Sequence, residues 1–225
     1  MRDWDWTGMV EANRRRLIGL LAGLLMLMPE GSGSIRRAVW REILNRLMPL
    51  EAALRRLIVV AALDLSVTVG PARSGSKAGS GAKGAGERSA LFGLIDALRR
   101  VGMPKRGRGP KREPNIWSLD EPGPPPRRAV PMEDDLLDAA ALRRRLAAAQ
   151  AALDDLPKHA LRLARWMARN ERDRQSGKRR RLYPIRSGRP PGHRTRGKRD
   201  EDELLATCHD LALRARAMVE NERYG

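Results

Sequence analysis

Residues 139–156 read AAALRRRLAAAQAALDDL. Ala139, Leu142, Leu146, Ala149, Leu153 and Leu156 recur at alternating spacings of three and four, with Arg143, Arg144 and Arg145 between them. At 3.6 residues per turn this places the apolar set on one stripe, a heptad-type seam, and predicts an amphipathic helix. Pro157 lacks a backbone donor and breaks or kinks that helix. A second helix is expected over 158–174, with Leu161, Leu163, Ala164, Trp166, Met167 and Ala168 as its apolar face. A last helix starts at Asp200, which has capping-box spacing to Glu203; its seam is Leu204, Cys208, Leu211, Ala215 and Met218. Glu133, Asp134 and Asp135 suit a helix N-terminus, where the dipole favours carboxylates. The expectation for 132–225 is an antiparallel three-helix unit.

The other end of the chain predicts three more helices. Residues 17–28 are apolar all round, which demands burial against protein or lipid. Gly19 and Gly23 have the G-x-x-x-G spacing that allows close backbone approach. After the break at 31–34, Ile35, Val39, Trp40, Ile43, Leu44, Leu47 and Met48 fall at helical spacing. Pro49 suits the first turn of a third helix, with Leu50, Leu54, Leu57, Ile58, Ala61 and Leu65 inward. Such helices would form a hairpin-like unit over 1–69. A run of twelve residues spans only about 18 Å at 1.5 Å per residue, short of a bilayer core. The acidic leader, with Asp3, Asp5 and Glu11, argues against a signal peptide, so a cytoplasmic protein, or one peripheral to a membrane, is expected.

Between these parts, 70–89 is rich in Gly, Ser and Ala and reads as a flexible linker. A short helix is expected near 89–101, and 102–131 alternates basic clusters with Pro and Gly, the composition of an extended or disordered segment. Ile116, Trp117 and Leu119 form an apolar patch suited to docking in a groove. The fold class is therefore all-α: two small helical units, 1–69 and 132–225, joined by a disordered basic middle, 70–131. No strand is expected.

The net charge of +18 is concentrated outside the helices. Residues 176–199 carry ten Lys or Arg and no Asp or Glu, whereas 200–225 is acidic. Such a pattern marks contact zones for an anionic partner. The candidate nucleic-acid contacts are Lys178, Arg179, Arg180, Arg181, Arg186, Arg189, Arg194, Arg196, Lys198 and Arg199. Gly188, Arg189 and Pro190 approximate the G-R-P core of AT-hook segments, which fits a narrow A·T minor groove; Ser187 departs from that pattern by replacing its usual Arg. Lys105, Arg106, Arg108, Lys111 and Arg112 form a second basic cluster around a similar core. The expected mode is phosphate neutralisation without base readout.

Catalytic and cofactor signals are weak. Residues 79–84, GSGAKG, satisfy G-x-G-x-x-G but sit in low-complexity sequence with no βαβ unit around them. Cys208 is the only cysteine, which excludes an internal disulfide, and it neighbours His209 at an angle of about 100° on a helix. His159, His193 and His209 have no metal-ligand spacing. The sequence thus predicts a non-enzymatic protein with no cofactor and no metal.

Four segments, PLEAALRRLIVVAA (49–62), LRLARWMAR (161–169), PIRSGRPPGHR (184–194) and ELLATCHDLALRA (203–215), resemble an uncharacterised bacterial family of small basic helical proteins. The resemblance spans both ends of the chain and implies that the two helical parts belong together; it implies no activity. Two alternatives to nucleic-acid binding follow from other residues. The apolar and basic helices of 12–69 could lie on an anionic membrane surface, with Arg14, Arg15, Arg16, Arg36, Arg37, Arg41, Arg55 and Arg56 toward head groups. The chain could also be a helical interaction module, its 139–156 seam pairing two copies.

Overall fold

A computed structural model describes residues 5–29, 33–67, 92–95, 132–180, 183–186, 188–195, 197 and 199–224. The expected cluster at 105–112, the linker at 70–89 and the 116–119 patch lie outside them. The described chain folds as α1 (Trp6–Met26), β1 (Ser34–Arg36), α2 (Arg37–Leu63), β2 (Leu136–Asp138), α3 (Ala140–Asp154), α4 (Leu156–Gln175) and α5 (Asp200–Tyr224). The all-α expectation holds.

The helices of the two parts do not bury themselves separately. α2 is the central element and packs most extensively on α5, then on α1 and α4, with α3 also against it. From Leu50 to Val60 every residue of α2 is buried except Arg55. Four neighbours surround it, so the expected one-sided set of Leu50, Leu54, Leu57, Ile58, Ala61 and Leu65 is too narrow; Leu65 itself is exposed. The two ends of the chain thus share a single core.

The 139–156 seam is buried at all six positions. It is used within the chain, against α1 and α2, and offers no apolar stripe to a second copy. Pro157 lies in the first turn of α4, where its missing N–H costs nothing. In α1 only Leu17, Leu21 and Leu24 of the apolar run are buried, while Leu25, Met26 and Leu27 are exposed. Gly19 and Gly23 are also exposed, with open space where a Cβ would stand, so the G-x-x-x-G spacing serves no close packing here. Phe92 and Leu94 are buried, but 92–95 is not helical.

Two further corrections concern α2. A three-residue antiparallel ladder pairs Ser34 with Asp138, Ile35 with Leu137 and Arg36 with Leu136, so a small sheet does occur. It brings the acidic turn to α2 rather than to α3. The Arg37 and Ala38 amides donate to the Asp135 and Glu133 carbonyls at 2.8 and 3.0 Å, and Arg37 and Arg41 pair with the Asp135 and Glu133 carboxylates. No side chain caps this helix start; remote carbonyls satisfy its orphan donors instead. Pro49 does not begin a new helix but lies inside α2. A proline there leaves the carbonyl four residues earlier, that of Asn45, without its helical donor.

Candidate nucleic-acid interface

The basic loop leaves α4 through a tight cap. Gly177 has φ +82°, and its N–H donates to the Arg174 carbonyl at 2.9 Å while that of Lys178 donates to the Asp173 carbonyl at 3.0 Å. This pair of bonds is a Schellman arrangement, and it needs glycine at the left-handed position. Arg172 and Arg174 in the last turn complement the negative end of the helix dipole. Lys178 and Arg180 reach the Asp173 carboxylate at 3.7 and 3.1 Å. Together with Arg174, Gly177 and Arg179 they line an open depression.

From Tyr183 onward the loop is fastened to the core at successive points. The Arg216 guanidinium lies over the Tyr183 ring, 4.2 Å from its centre. Pro184, Ile185 and Pro190 are buried. A turn follows in which the His193 N–H donates to the Pro190 carbonyl at 3.1 Å. Within it Gly192, at φ +83°, rests on α2 so closely that a Cβ would meet the Pro49 nitrogen at 2.7 Å and its Cα at 2.9 Å. Beside this contact, Arg194 Nη2 donates to the Asn45 carbonyl at 3.4 Å, the group that Pro49 leaves without a helical donor. Arg199 pairs with Glu42 at 3.1 Å, and Arg46 with the buried Glu201, which fixes the start of α5 to α2.

The ten candidate contacts therefore sort by role. Lys178, Arg180 and Arg199 are exposed but tied to carboxylates, and Arg194 is half-buried on the Asn45 carbonyl. Arg179, Arg186 and Arg189 are exposed, and no described carboxylate pairs with them. Arg181, Arg196 and Lys198 lie outside the described residues, as do Lys105, Arg106, Arg108, Lys111 and Arg112. The structure adds a basic feature that composition of the loop does not reveal. On α4, Lys158, Arg162, Arg165, Arg169 and Arg172 follow one another at spacings of four, three, four and three. The signal is present in the sequence as a charge period, the polar counterpart of the apolar face.

The remaining titratable groups have structural settings. Cys208 is buried in the core, and burial pushes its thiol up to about 12, against the opposing pull of Arg56 and Arg16. Arg56 is fully buried and donates to His209 Nδ1 at 3.0 Å and to the Ala52 carbonyl at 2.8 Å; it does not face outward. Partial burial and the nearby Arg162 hold His159 below the usual imidazole range. Among the described residues no group of three or more His, Cys, Asp or Glu could hold a metal ion, and no helix is long and apolar enough to cross a membrane. A scan of family models, a search of curated proteins and a search of solved structures each returned no match to this chain.

Proposed function

We propose that this protein binds nucleic acid through its phosphates, with the 176–199 loop as the principal contact and no catalytic role. The observation that carries this reading is the contrast within the loop. Its backbone is held by Ile185, Pro190 and the Gly192 contact with Pro49, while Arg186 and Arg189 between these anchors project into solvent without a described carboxylate. A pre-ordered loop gives up little conformational freedom on binding, so its charges are available at low entropic cost. The membrane alternative draws less support. Of the apolar runs it relies on, 17–28, 35–48 and 57–69, Leu17, Leu21, Leu24, Ile35, Ile43, Leu47 and the stretch from Leu57 to Val60 are packed in the core, and among their described residues Leu25, Met26, Leu27 and Leu65 are the large apolar side chains left exposed.

The test is fluorescence anisotropy with labelled DNA across a salt series. The full chain is compared with one in which Lys178, Arg179, Arg180, Arg181, Arg186, Arg189, Arg194, Arg196, Lys198 and Arg199 are all made neutral. Binding that neutralises six or more phosphates gives a log K against log salt slope of about −5 or steeper. The neutralised chain should lose most of that affinity. Absence of binding by the intact chain at moderate salt would overturn the reading.

A further inference from the structure

We propose that the basic row of α4 is a second phosphate-contacting track, so that the protein lies along double-stranded nucleic acid rather than touching it by the loop alone; this rests on the nucleic-acid reading above. At 100° per residue, Lys158, Arg162, Arg165, Arg169 and Arg172 fall within an arc of about 80°. The residues that α4 buries, Leu156, Ala160, Leu163 and Ala164, occupy the opposite side. Along the row Lys158, Arg162, Arg165 and Arg169 are exposed, and Arg172, at the C-terminal end, is half-buried. The row runs about 21 Å at 1.5 Å per residue, a length over which one strand of a duplex presents roughly six phosphates. At its end the chain turns through Gly177 into Lys178, Arg179 and Arg180, beside Arg174, so the basic surface continues into the loop.

On three other helices local spacing pairs cations with carboxylates, and this row lacks that pattern. On α1, Arg14 and Arg15 pair with Glu11; on α2, Arg55 pairs with Glu51; on α5, Arg216 pairs with Glu220, all at the three- or four-residue spacing that places side chains together. On α4 the same spacings join cation to cation, an arrangement that weakens an isolated helix. Lys158 has Asp155, and Arg162 donates to the Phe92 carbonyl, which carries no charge. Arg165 and Arg169 are exposed, with neither an ion pair nor a hydrogen bond to a described residue. A polyanion supplies the missing counter-charges.

Two features select a duplex. Single-strand binding uses aromatic platforms on which bases stack. Among the described aromatic side chains, Trp6, Trp40 and Trp166 are partly buried against the core, Phe92 is buried, and Tyr183 carries Arg216. Lipid insertion uses an apolar flank beside the basic residues. The outward face of α4 offers only Leu161 in that capacity.

The experiment uses the full chain and three forms of it: Arg165→Gln with Arg169→Gln, Arg186→Gln with Arg189→Gln, and the combination. Each is titrated against a labelled duplex of roughly 20 bp, its separated strand, and phosphatidylserine vesicles, from about 50 to 200 mM salt. Gln keeps helix propensity, and circular dichroism checks that each variant is folded. Two lost phosphate contacts should flatten the α4 variant's slope by about 1.8, so that over this range its affinity for duplex falls about 12-fold less than that of the parent chain. The combined variant should be flatter still. An unchanged slope for the α4 variant, with a flattened one for the loop variant, would remove α4 from the interface and leave the loop reading standing. Failure of the parent to bind either nucleic acid would overturn both. Tighter binding to the single strand, or an α4 effect confined to vesicles, would overturn the duplex assignment.

Discussion

Replacing Gly192 by alanine should destabilise the fold far more than the same change at Gly177, although both glycines have nearly the same backbone conformation. Their φ angles are +83° and +82°. Each substitution therefore carries the left-handed penalty of an L-residue, about 1–2 kcal/mol. The surroundings differ. A Cβ at Gly177 meets nothing within 4 Å, whereas at Gly192 it meets the Pro49 nitrogen at 2.7 Å, its Cα at 2.9 Å and the Met48 carbonyl carbon at 3.0 Å. These are backbone atoms of a buried helix, with no flexible side chain to yield. Overpacking of this kind costs about 1–3 kcal/mol, so Gly192→Ala should lose about 2–5 kcal/mol in total. Urea denaturation followed by circular dichroism reads the difference as a lower midpoint with an unchanged slope. In heat denaturation the extra loss corresponds to roughly 2–12 °C beyond Gly177→Ala for a chain of this size. Equal destabilisation by the two variants would show that the loop does not rest on Pro49, and the pre-ordered loop would fall with it.

Three other perturbations test the packing. In Pro49→Ala the new N–H can take the Asn45 carbonyl itself, so Arg194→Met, which should cost at most about 1 kcal/mol in the parent, should cost nothing in that background; a double-mutant cycle with no coupling would refute the rescue of that carbonyl by Arg194. Glu51 is buried and accepts from Arg145 Nε and Nη2 at 3.0 and 2.9 Å and from Arg55 at 3.3 Å, so Glu51→Gln should lose about 2–4 kcal/mol by leaving two guanidinium groups without their carboxylate; a loss below about 0.5 kcal/mol, the scale of an ordinary surface change, would contradict it. The Cys208 thiol lies at about 12 in the fold against an ordinary thiol value of 9.0, so its contribution is fully present below pH 9 and is lost as pH rises from 9 toward 12. Relative to Cys208→Ala, the parent should lose up to about 1.4 kcal/mol per pH unit across that window; parallel pH–stability curves for the two proteins would count against a buried thiol.

The seam from Ala139 to Leu156 was legible because a buried helix face writes its period directly into the order of apolar residues, and all six positions are buried. The start of α5 at Asp200 and its buried Leu204, Cys208, Leu211 and Ala215 were readable for the same reason. The period fails where a helix is enclosed. Between Leu50 and Val60 in α2, four neighbouring helices bury nearly every position, and an apolar stripe no longer marks an inward side. It also misled in 17–28, where a run that is apolar all round buries only one face. The α4 row was written in the sequence as plainly as the seam, but in charge rather than hydropathy.

By itself, the sequence determined the all-α class, the positions of the amphipathic helices from Ala139 onward and the concentration of positive charge at 176–199, since each depends on local composition and on periods of a few residues. Only the tertiary structure decided that the two ends of the chain share a core and that Ser34–Arg36 pairs with Leu136–Asp138 about a hundred residues away. It likewise decided that Pro49 stays within α2, with the Asn45 carbonyl it leaves unpaired met by Arg194 and its own backbone nitrogen and Cα lying against Gly192. These contacts join residues far apart in the chain, and their partners carry no local mark of one another. A backbone donor lost at one position can be replaced from any distance, and only the folded chain shows from where.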